Sequence, residues 1–465
     1  MSPTATTLPW VDEASTRFVD IMPEHIDRLS WSAEQLRAHQ DRALADLVRT
    51  AATWSPFHRE RLAGIDLDHI SVDGLAKLPI MTKAEMMADL DDVFTDRRLS
   101  RGRIERHLAT LGEEPDLLLD EYAVLATGGS SGTRGVFVIP RDQAPHFTAY
   151  VLRAGMAQLS ANAGWPPPTK IPVGIVMAPS AIHATRSMTR AMSAVAHVTY
   201  APVTLPVPDI IDRLNQAQPI VLVGYPSVMA QLGDAAVTGD IQIQPQMLLT
   251  TAEQLLPDQI ERITAGFGMA PGNSFGSTEG LVGTAPPGSN EFTFASDRTI
   301  IEFVDADDQP VPAGTKAHHV LITNLTSHSQ PLIRYRMDDA MTELPPASGH
   351  GHQRATVEGR NDELVTVGDR SIHPLTFRSA LLKHGTIAEY QVRVDNTTAQ
   401  PRIELALVTT GPISLPHVER DIAQVLTTAG ATAQVTATQV ENLERNPATG
   451  KIQRFISATP SQTAR

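Results

Sequence analysis

Gln218-Pro219-Ile220-Val221-Leu222-Val223 is a short run dominated by apolar residues, and a second run, Gln246-Met247-Leu248-Leu249-Thr250-Thr251, follows it. A third, Lys170 to Met177, precedes both. A helix-like segment, Val228 to Asp234, separates the first two, and another, Pro208 to Ala217, leads into them. Strands that stay apolar at successive positions are covered on both faces, and helices between them supply the cover. The pattern predicts an α/β fold built on a parallel sheet.

Upstream, the chain to about Asp120 reads as helical. Ser32 stands as a cap before Glu34, and Leu36, Leu44 and Leu47 follow at helical spacing. Downstream, Thr299-Ile300-Ile301-Glu302-Phe303-Val304 alternates, with turn residues at Asp305 to Asp308 and Pro312 to Gly314. That texture predicts antiparallel strands after the parallel core. A loop rich in Pro, Ser, Gly and His (Pro345 to His352) precedes Val357, and the rest reads as a small α+β unit. The boundary is expected near Arg360, giving domains 1–358 and 359–465.

Composition agrees with two domains, since 465 residues exceed the roughly 250–300 over which one core grows. Hydrophobic residues at 42% and charged residues at 19% are globular proportions. With 38 Lys plus Arg against 52 Asp plus Glu, the net charge is −14 and no basic run interrupts it. Neither nucleic acid nor an acidic membrane is an expected partner. The absence of cysteine excludes disulfides, cysteine-ligated metal and thiolate nucleophiles. The polar start and the lack of an 18-residue apolar run lead to the expectation of a cytoplasmic protein. Even the most apolar stretch, Ile171 to Ile182, is broken by Pro172 and Pro179.

Thr127-Gly128-Gly129-Ser130-Ser131-Gly132-Thr133 follows the apolar run Tyr122 to Ala126. Small residues let backbone N–H groups wrap phosphate oxygens, although the Gly-Lys-Ser/Thr ending of a Walker loop is missing. Alone, the segment reads equally as a Ser/Gly turn. It is followed in order by Thr251-Ala252-Glu253, then Asn273-Ser274-Phe275-Gly276-Ser277-Thr278-Glu279-Gly280. Arg334-Tyr335-Arg336-Met337-Asp338-Asp339 and Gly359-Arg360-Asn361-Asp362-Glu363 come next, and the series ends at Pro447-Ala448-Thr449-Gly450-Lys451-Ile452-Gln453-Arg454. Together these resemble the adenylate-forming superfamily of acyl-CoA synthetases, peptide adenylation domains and luciferases. The Arg-Tyr-Arg form is most similar to the phenylacetate–CoA ligase branch, and the resemblance runs from Tyr122 to Arg454.

The resemblance implies a large N-terminal adenylation domain and a small, mobile C-terminal domain carrying the catalytic lysine. It also implies a two-step reaction. A carboxylate attacks the α-phosphorus of ATP, pyrophosphate leaves, and a nucleophile then displaces AMP. Thr127, Gly128, Gly129, Ser130, Ser131 and Gly132 would form the phosphate loop, with Thr133 where the family usually has lysine and Arg134 next to it. Ala252 and Glu253 would border the adenine, and Asn273, Ser274 and Phe275 would form the other side of its slot. Thr278 would touch the α-phosphate, and Glu279 would hold Mg²⁺. Asp339 would bond the ribose, Arg360 the ribose or phosphates, and Asp362 would be the hinge. Lys451 would contact charge developing between carboxylate and α-phosphate. His183, Tyr225, Pro226 and Ser274 would line the acid pocket. The groups His318/His319/His328 and His350/His352 are read as loop histidines rather than metal ligands.

The function implied is an ATP- and Mg²⁺-dependent ligase for an aryl or arylacetic acid, with coenzyme A as the family's default acceptor. Alternatives are transfer to an amine or hydroxyl, nitrite activation that diazotises an aryl amine as in secondary metabolism, or nucleotide binding without catalysis. Dimers are common in the resembling branch, which leaves a homodimer open. One departure bears on the acceptor. Counting without gaps, Asp369 stands where the family has a glycine in the loop beside the pantetheine tunnel, with Gly368 one place early. Either the loop carries one extra residue and Gly368 keeps the role, or an acidic residue faces the tunnel.

Overall fold

The computed structural model describes residues 9–111, 116–126, 135–177, 192–347, 349–360, 365–372, 374–381, 384, 386–398, 400–445 and 452–458. The chain divides into two compact units, Met1–Gly359 and Arg360–Arg465.

In the larger unit, β1 (Tyr122–Ala126) and β2 (Val136–Pro140) form an antiparallel pair with Tyr122 opposite Pro140. The central sheet begins with β3 (Ile171–Val176), β4 (Ala196–Tyr200), β5 (Val221–Gly224) and β6 (Met247–Thr251). It continues with β7 (Gly272–Gly276), β8 (Val282–Ala285) and β9 (Glu291–Phe294). β10 (Thr299–Val304), β11 (His319–Asn324) and β12 (Tyr335–Met337) leave it to form their own antiparallel sheet. β13 (Asp339–Leu344) and β14 (Arg354–Arg360) then rejoin, giving nine strands in the order β13-β14-β9-β8-β7-β6-β5-β3-β4.

The three apolar runs are β3, β5 and β6, and they pair in parallel as the sequence predicts. The helix Val207–Ala217 buries Ile210, Ile211 and Leu214 against this core. Helices Pro226–Thr238 and Pro257–Phe267 cross backbone to backbone. A Cβ on Gly266 would lie 2.1 Å from the Gly233 carbonyl oxygen, so no larger residue fits.

The antiparallel region differs in detail from the sequence pattern. β8 and β9 extend the central sheet itself, and β10 is buried on both faces despite its alternation. Ile301 and Phe303 enter the core with Val320 and Ile322, whereas Ile300 joins Leu44 and Leu47 of an N-terminal helix. Glu302 shares that second face and is tolerated because Arg334 neutralises it.

The N-terminal helices are Pro9–Asp27 and Ala33–Trp54. At the second, Gln35 N–H donates to Ser32 Oγ at 3.2 Å and Ser32 N–H to Gln35 Oε1 at 2.9 Å, a reciprocal capping box. The segment joining them docks on chain that follows hundreds of residues later. His352 Nε2 donates to the Arg28 carbonyl at 2.8 Å, and Gly351 N–H to that of Trp31 at 2.9 Å.

The smaller unit is a four-stranded sheet plus a hairpin. β15 (Val365–Val367) and β16 (Arg370–Ile372) pair with Val367 opposite Arg370. Gly368 and Asp369 are therefore a two-residue turn, and Gly368 takes the positive φ (+64°) that such turns require. β17 (Ile387–Asp395), β18 (Arg402–Thr409), β19 (Gln434–Gln439) and β20 (Phe455–Ala458) run in the order β19-β18-β17-β20. The helix Leu415–Thr428 lays Val418, Ile422 and Leu426 into the core of this unit. Among the described residues, no helix is long and apolar enough to cross a membrane.

Candidate active site

Ligands of parallel α/β sheets bind outside the carboxyl ends of the strands, where backbone direction gathers the connecting loops. β3, β5, β6 and β7 run in parallel, so the segments after them emerge at one edge of the sheet. Those segments begin at residue 177, Tyr225-Pro226, Ala252-Glu253 and Ser277. The topology therefore brings Tyr225, Pro226, Ala252, Glu253, Ser274, Phe275, Thr278 and Glu279 to a common edge.

Local geometry there is specific. Ala252 has φ +67°, a left-handed conformation costly for a residue with a Cβ. Backbone strain of this kind concentrates at binding sites. The turn at Ala252 aims Glu253 back at the neighbouring helix, where its Oε2 accepts the Ser227 N–H at 3.1 Å. A carboxylate at a helix N-terminus satisfies an otherwise unbonded donor and complements the helix dipole. Tyr225, Pro226 and Ser227 are buried, with Tyr225 immediately before the helix.

On β7, Asn273 is buried and its side chain is engaged within the protein. Its Oδ1 accepts from Thr250 Oγ1 at 3.3 Å, and its Nδ2 donates to Asn290 Oδ1 at 2.9 Å. Ser274 is buried, whereas Phe275 is half-buried with its ring edge-on to Phe292 and Phe294, centroids 6.0 and 5.9 Å apart. The chain then turns tightly through Ser277–Gly280, with Ser277 N–H donating to the Leu281 carbonyl at 2.9 Å and Leu281 N–H to Ser277 Oγ at 3.1 Å. Thr278 and Glu279 sit half-buried on this turn. Among the described residues, no three His, Asp or Glu side chains gather to hold a metal. A single carboxylate, Glu279, completed by phosphate oxygens is a hard-oxygen set that fits Mg²⁺.

Asp339 opens β13, half-buried beside exposed Asp338. Three strands separate β13 from β7 in the sheet, so strand pairing does not bring Asp339 to the Glu279 turn. Arg334 serves the scaffold. Buried at φ +48°, it grips Glu302 through Nε and Nη2 at 3.0 Å and donates Nη1 to the Leu78 carbonyl at 2.7 Å. Arg360 ends β14. Thr127, Gly128, Gly129, Ser130, Ser131, Gly132, His183, Asp362 and Lys451 lie outside the described residues.

Of the histidines read as loop residues, His319 lies in a strand instead, while His352 is in a loop as read and is buried there. His319 begins β11, is buried, and donates Nε2 to Asp308 Oδ1 at 2.6 Å. Burial pulls its imidazole below the ordinary value, against the opposing pull of Asp308. His352 is buried too, accepting the Ser296 N–H at Nδ1 while donating from Nε2. Sequence reasoning also missed Asn324, Arg298 and Thr299, which hold the Glu279 turn. They act on main-chain carbonyls, which leaves no motif.

No family model matches the chain. It is 24% identical over 200 residues to the phenylacetate-coenzyme A ligase of Aromatoleum evansii, a match spanning 39% of this chain and 45% of that protein. Among solved structures, it resembles 2-hydroxyisobutyryl-CoA ligase in the postadenylation state in complex with R3-HIB-AMP. There the TM-score is 0.66 at 17% identity, covering 94% of this chain and 92% of that one. It also resembles the ATP-bound RpMatB-BxBclM chimera B3, with TM-score 0.50, 17% identity and coverages of 70% and 65%. The chain shares the α/β fold of these structures, with a smaller C-terminal domain.

Proposed function

We propose that the protein is an ATP-dependent, AMP-forming ligase. The observation that carries this reading is the Thr278–Glu279 turn at the carboxyl edge of the parallel strands, beside the strained Ala252, in a fold shared with adenylate-forming enzymes. In the first half-reaction a substrate carboxylate oxygen bonds the α-phosphorus of ATP, the α–β phosphoanhydride breaks, and pyrophosphate departs. In the second, a nucleophile bonds the acyl carbon and AMP leaves. Such chemistry needs alignment of the reactants and stabilised charge rather than covalent work by the protein.

Ala252 and the β7 segment from Asn273 to Phe275 flank the adenine, and Thr278 touches the α-phosphate. Asp339 and Arg360 bind the ribose end, and the 127–132 loop cradles the phosphates. Glu279 holds Mg²⁺, which would supply neutralisation of triphosphate charge. Lys451, delivered by the C-terminal unit about Asp362, stabilises the developing charge. Tyr225, Pro226, Ser274 and His183 surround an aromatic acid, in keeping with the partial match to phenylacetate-coenzyme A ligase.

Coenzyme A is the default acceptor. A smaller or amine acceptor is favoured by one observation: the Asp369 carboxylate stands at the β15–β16 turn with 90% of its side chain exposed. Arg370 Nε lies 3.8 Å from that carboxylate, so the negative charge opposing a phosphate-bearing thiol is only partly compensated. The experiment is pyrophosphate release across a panel of acids, amines and nitrite, with mass analysis of each product. The reading fails if no compound elicits release. Thioester formation that saturates at low coenzyme A would remove the amine reading.

A further inference from the structure

The Ser277–Gly280 turn is held through its main chain by residues far along the sequence. Asn324 Nδ2 donates to the Glu279 carbonyl at 2.8 Å. Arg298 Nε donates to the Gly280 carbonyl at 3.0 Å, and Thr299 Oγ1 to the same oxygen at 3.3 Å. Gly280 has φ +101°, and a Cβ there would lie 2.2 Å from Asn324 Nδ2. Glycine is therefore required twice, for conformation and for close approach.

Both clamping side chains are themselves fixed. Asn324 is buried, and its Oδ1 accepts Thr326 N–H at 3.1 Å and Thr326 Oγ1–H at 3.0 Å, which dictates that Nδ2 faces the turn. The Arg298 guanidinium lies over the rings of Phe147 and Tyr150, 5.1 and 5.0 Å from their centroids. Only 5% of Arg298 is exposed. Burial pulls it down to about 10, still charged at neutral pH. A buried cation bonding a carbonyl gives a strong, directional contact.

We infer that Asn324 and Arg298 are positioning residues that present the Glu279 carboxylate to a metal–nucleotide complex. The inference rests on the reading of Glu279 given above. Mg²⁺ tolerates little departure from octahedral geometry, so a carboxylate on a rigid turn serves it where one on a loose loop does not. Asn324 and Arg298 touch no ligand in this scheme and act through the turn.

Asn324→Asp removes the donor to the Glu279 carbonyl and keeps the two bonds accepted from Thr326, but it also buries a negative charge beside the turn. Asn324→Leu, uncharged and of similar shape, removes the same donor without that charge and is made alongside it. Gly280→Ala perturbs the same turn from the other side, so the inference stays testable if any one variant folds poorly. Titration calorimetry compares ATP with Mg²⁺, ATP with chelator, and AMP, and thermal unfolding monitors folding. In the variants, affinity for ATP with Mg²⁺ should fall about 10-fold, the size of one lost hydrogen bond to a buried carbonyl, while AMP and metal-free ATP stay within about 2-fold. A purely structural role would weaken all three ligands alike. If the wild type binds ATP more tightly with Mg²⁺ and folded variants retain that gain, or lose AMP equally, the inference is overturned alone. A wild type that binds no ATP overturns the reading of the site and the inference with it.

Discussion

Arg153 and Asp297 meet as a parallel fork inside the larger unit, Nη2 to Oδ1 at 2.7 Å and Nη1 to Oδ2 at 2.8 Å, with 3% and 0% of their side chains exposed. Burial by itself would raise the Asp297 carboxyl, yet Arg153's charge and hydrogen bonds hold it below the ordinary 3.8. Asp297→Ala leaves a buried, unpaired guanidinium and should cost about 3–5 kcal/mol in denaturant unfolding. A lowered carboxyl contributes stability above the ordinary value and loses it as pH falls through the folded value. The wild-type deficit at acid pH should therefore shrink in this variant.

Two buried imidazoles predict a second pH effect at milder acidity. Burial, reinforced by the charges of Arg153 and Arg28, pulls His25 down to about 3. Burial likewise pulls His58 to about 4, although its Nε2 donates to the Pro331 carbonyl at 2.9 Å. The unfolded chain binds these protons first. Below about pH 6.5 each histidine should therefore reduce unfolding free energy by up to about 1.4 kcal/mol per pH unit. Denaturant titrations at pH 7, 6 and 5 test this, and a flat profile would contradict it.

The two arginines of the Arg334-Tyr335-Arg336 segment should separate cleanly. Arg334 is buried and grips both oxygens of Glu302, whereas Arg336 is half-exposed and pairs with Asp308. Arg334→Ala leaves a half-buried carboxylate unpaired and strips the Ala76 and Leu78 carbonyls of their donor, and should cost about 3–5 kcal/mol, against about 0–1 kcal/mol for Arg336→Ala. Comparable losses in the two variants would refute the distinction.

Lys451→Ala tests the catalytic reading. Acid-dependent pyrophosphate release should fall by about 10²-fold or more, the loss expected for a preorganised charge on the transition state. Transfer from a supplied acyl adenylate should be affected far less. Equal losses in both half-reactions would remove Lys451 from its assigned role.

What the sequence disclosed follows from how local each signal is. β3, β5 and β6 were legible because burial on both faces selects apolar residues at every position. The Ser32 cap was legible because its bonds span three residues. β10 misled because its alternation implies one wet face, whereas an N-terminal helix covers that face and Arg334 neutralises Glu302. Thr278 and Glu279 stood out by motif, but Asn324 and Arg298 bond carbonyls 45 and 18 positions away, which no spacing rule encodes. His319 looked like a loop residue because Asp308, its partner, lies across a turn. The Gly368-Asp369 shift is a two-residue hairpin turn, with the glycine taking the left-handed position.

The docking of the N-terminal helices onto the far end of the larger unit governs how the chain can fold as it is made. Arg28 waits for His352, 324 positions later. At ribosomal rates of about 5–20 residues per second that is an interval of roughly 15–65 s. For most of it, Leu44 and Leu47 lack Ile300, Leu325 and Ile333, the partners that complete their cluster. The newborn segment therefore presents an uncovered apolar stripe for most of its synthesis. Holdase chaperones would be expected to engage the first fifty residues in vivo, and a chain truncated before Gly351 should aggregate rather than accumulate as a folded fragment.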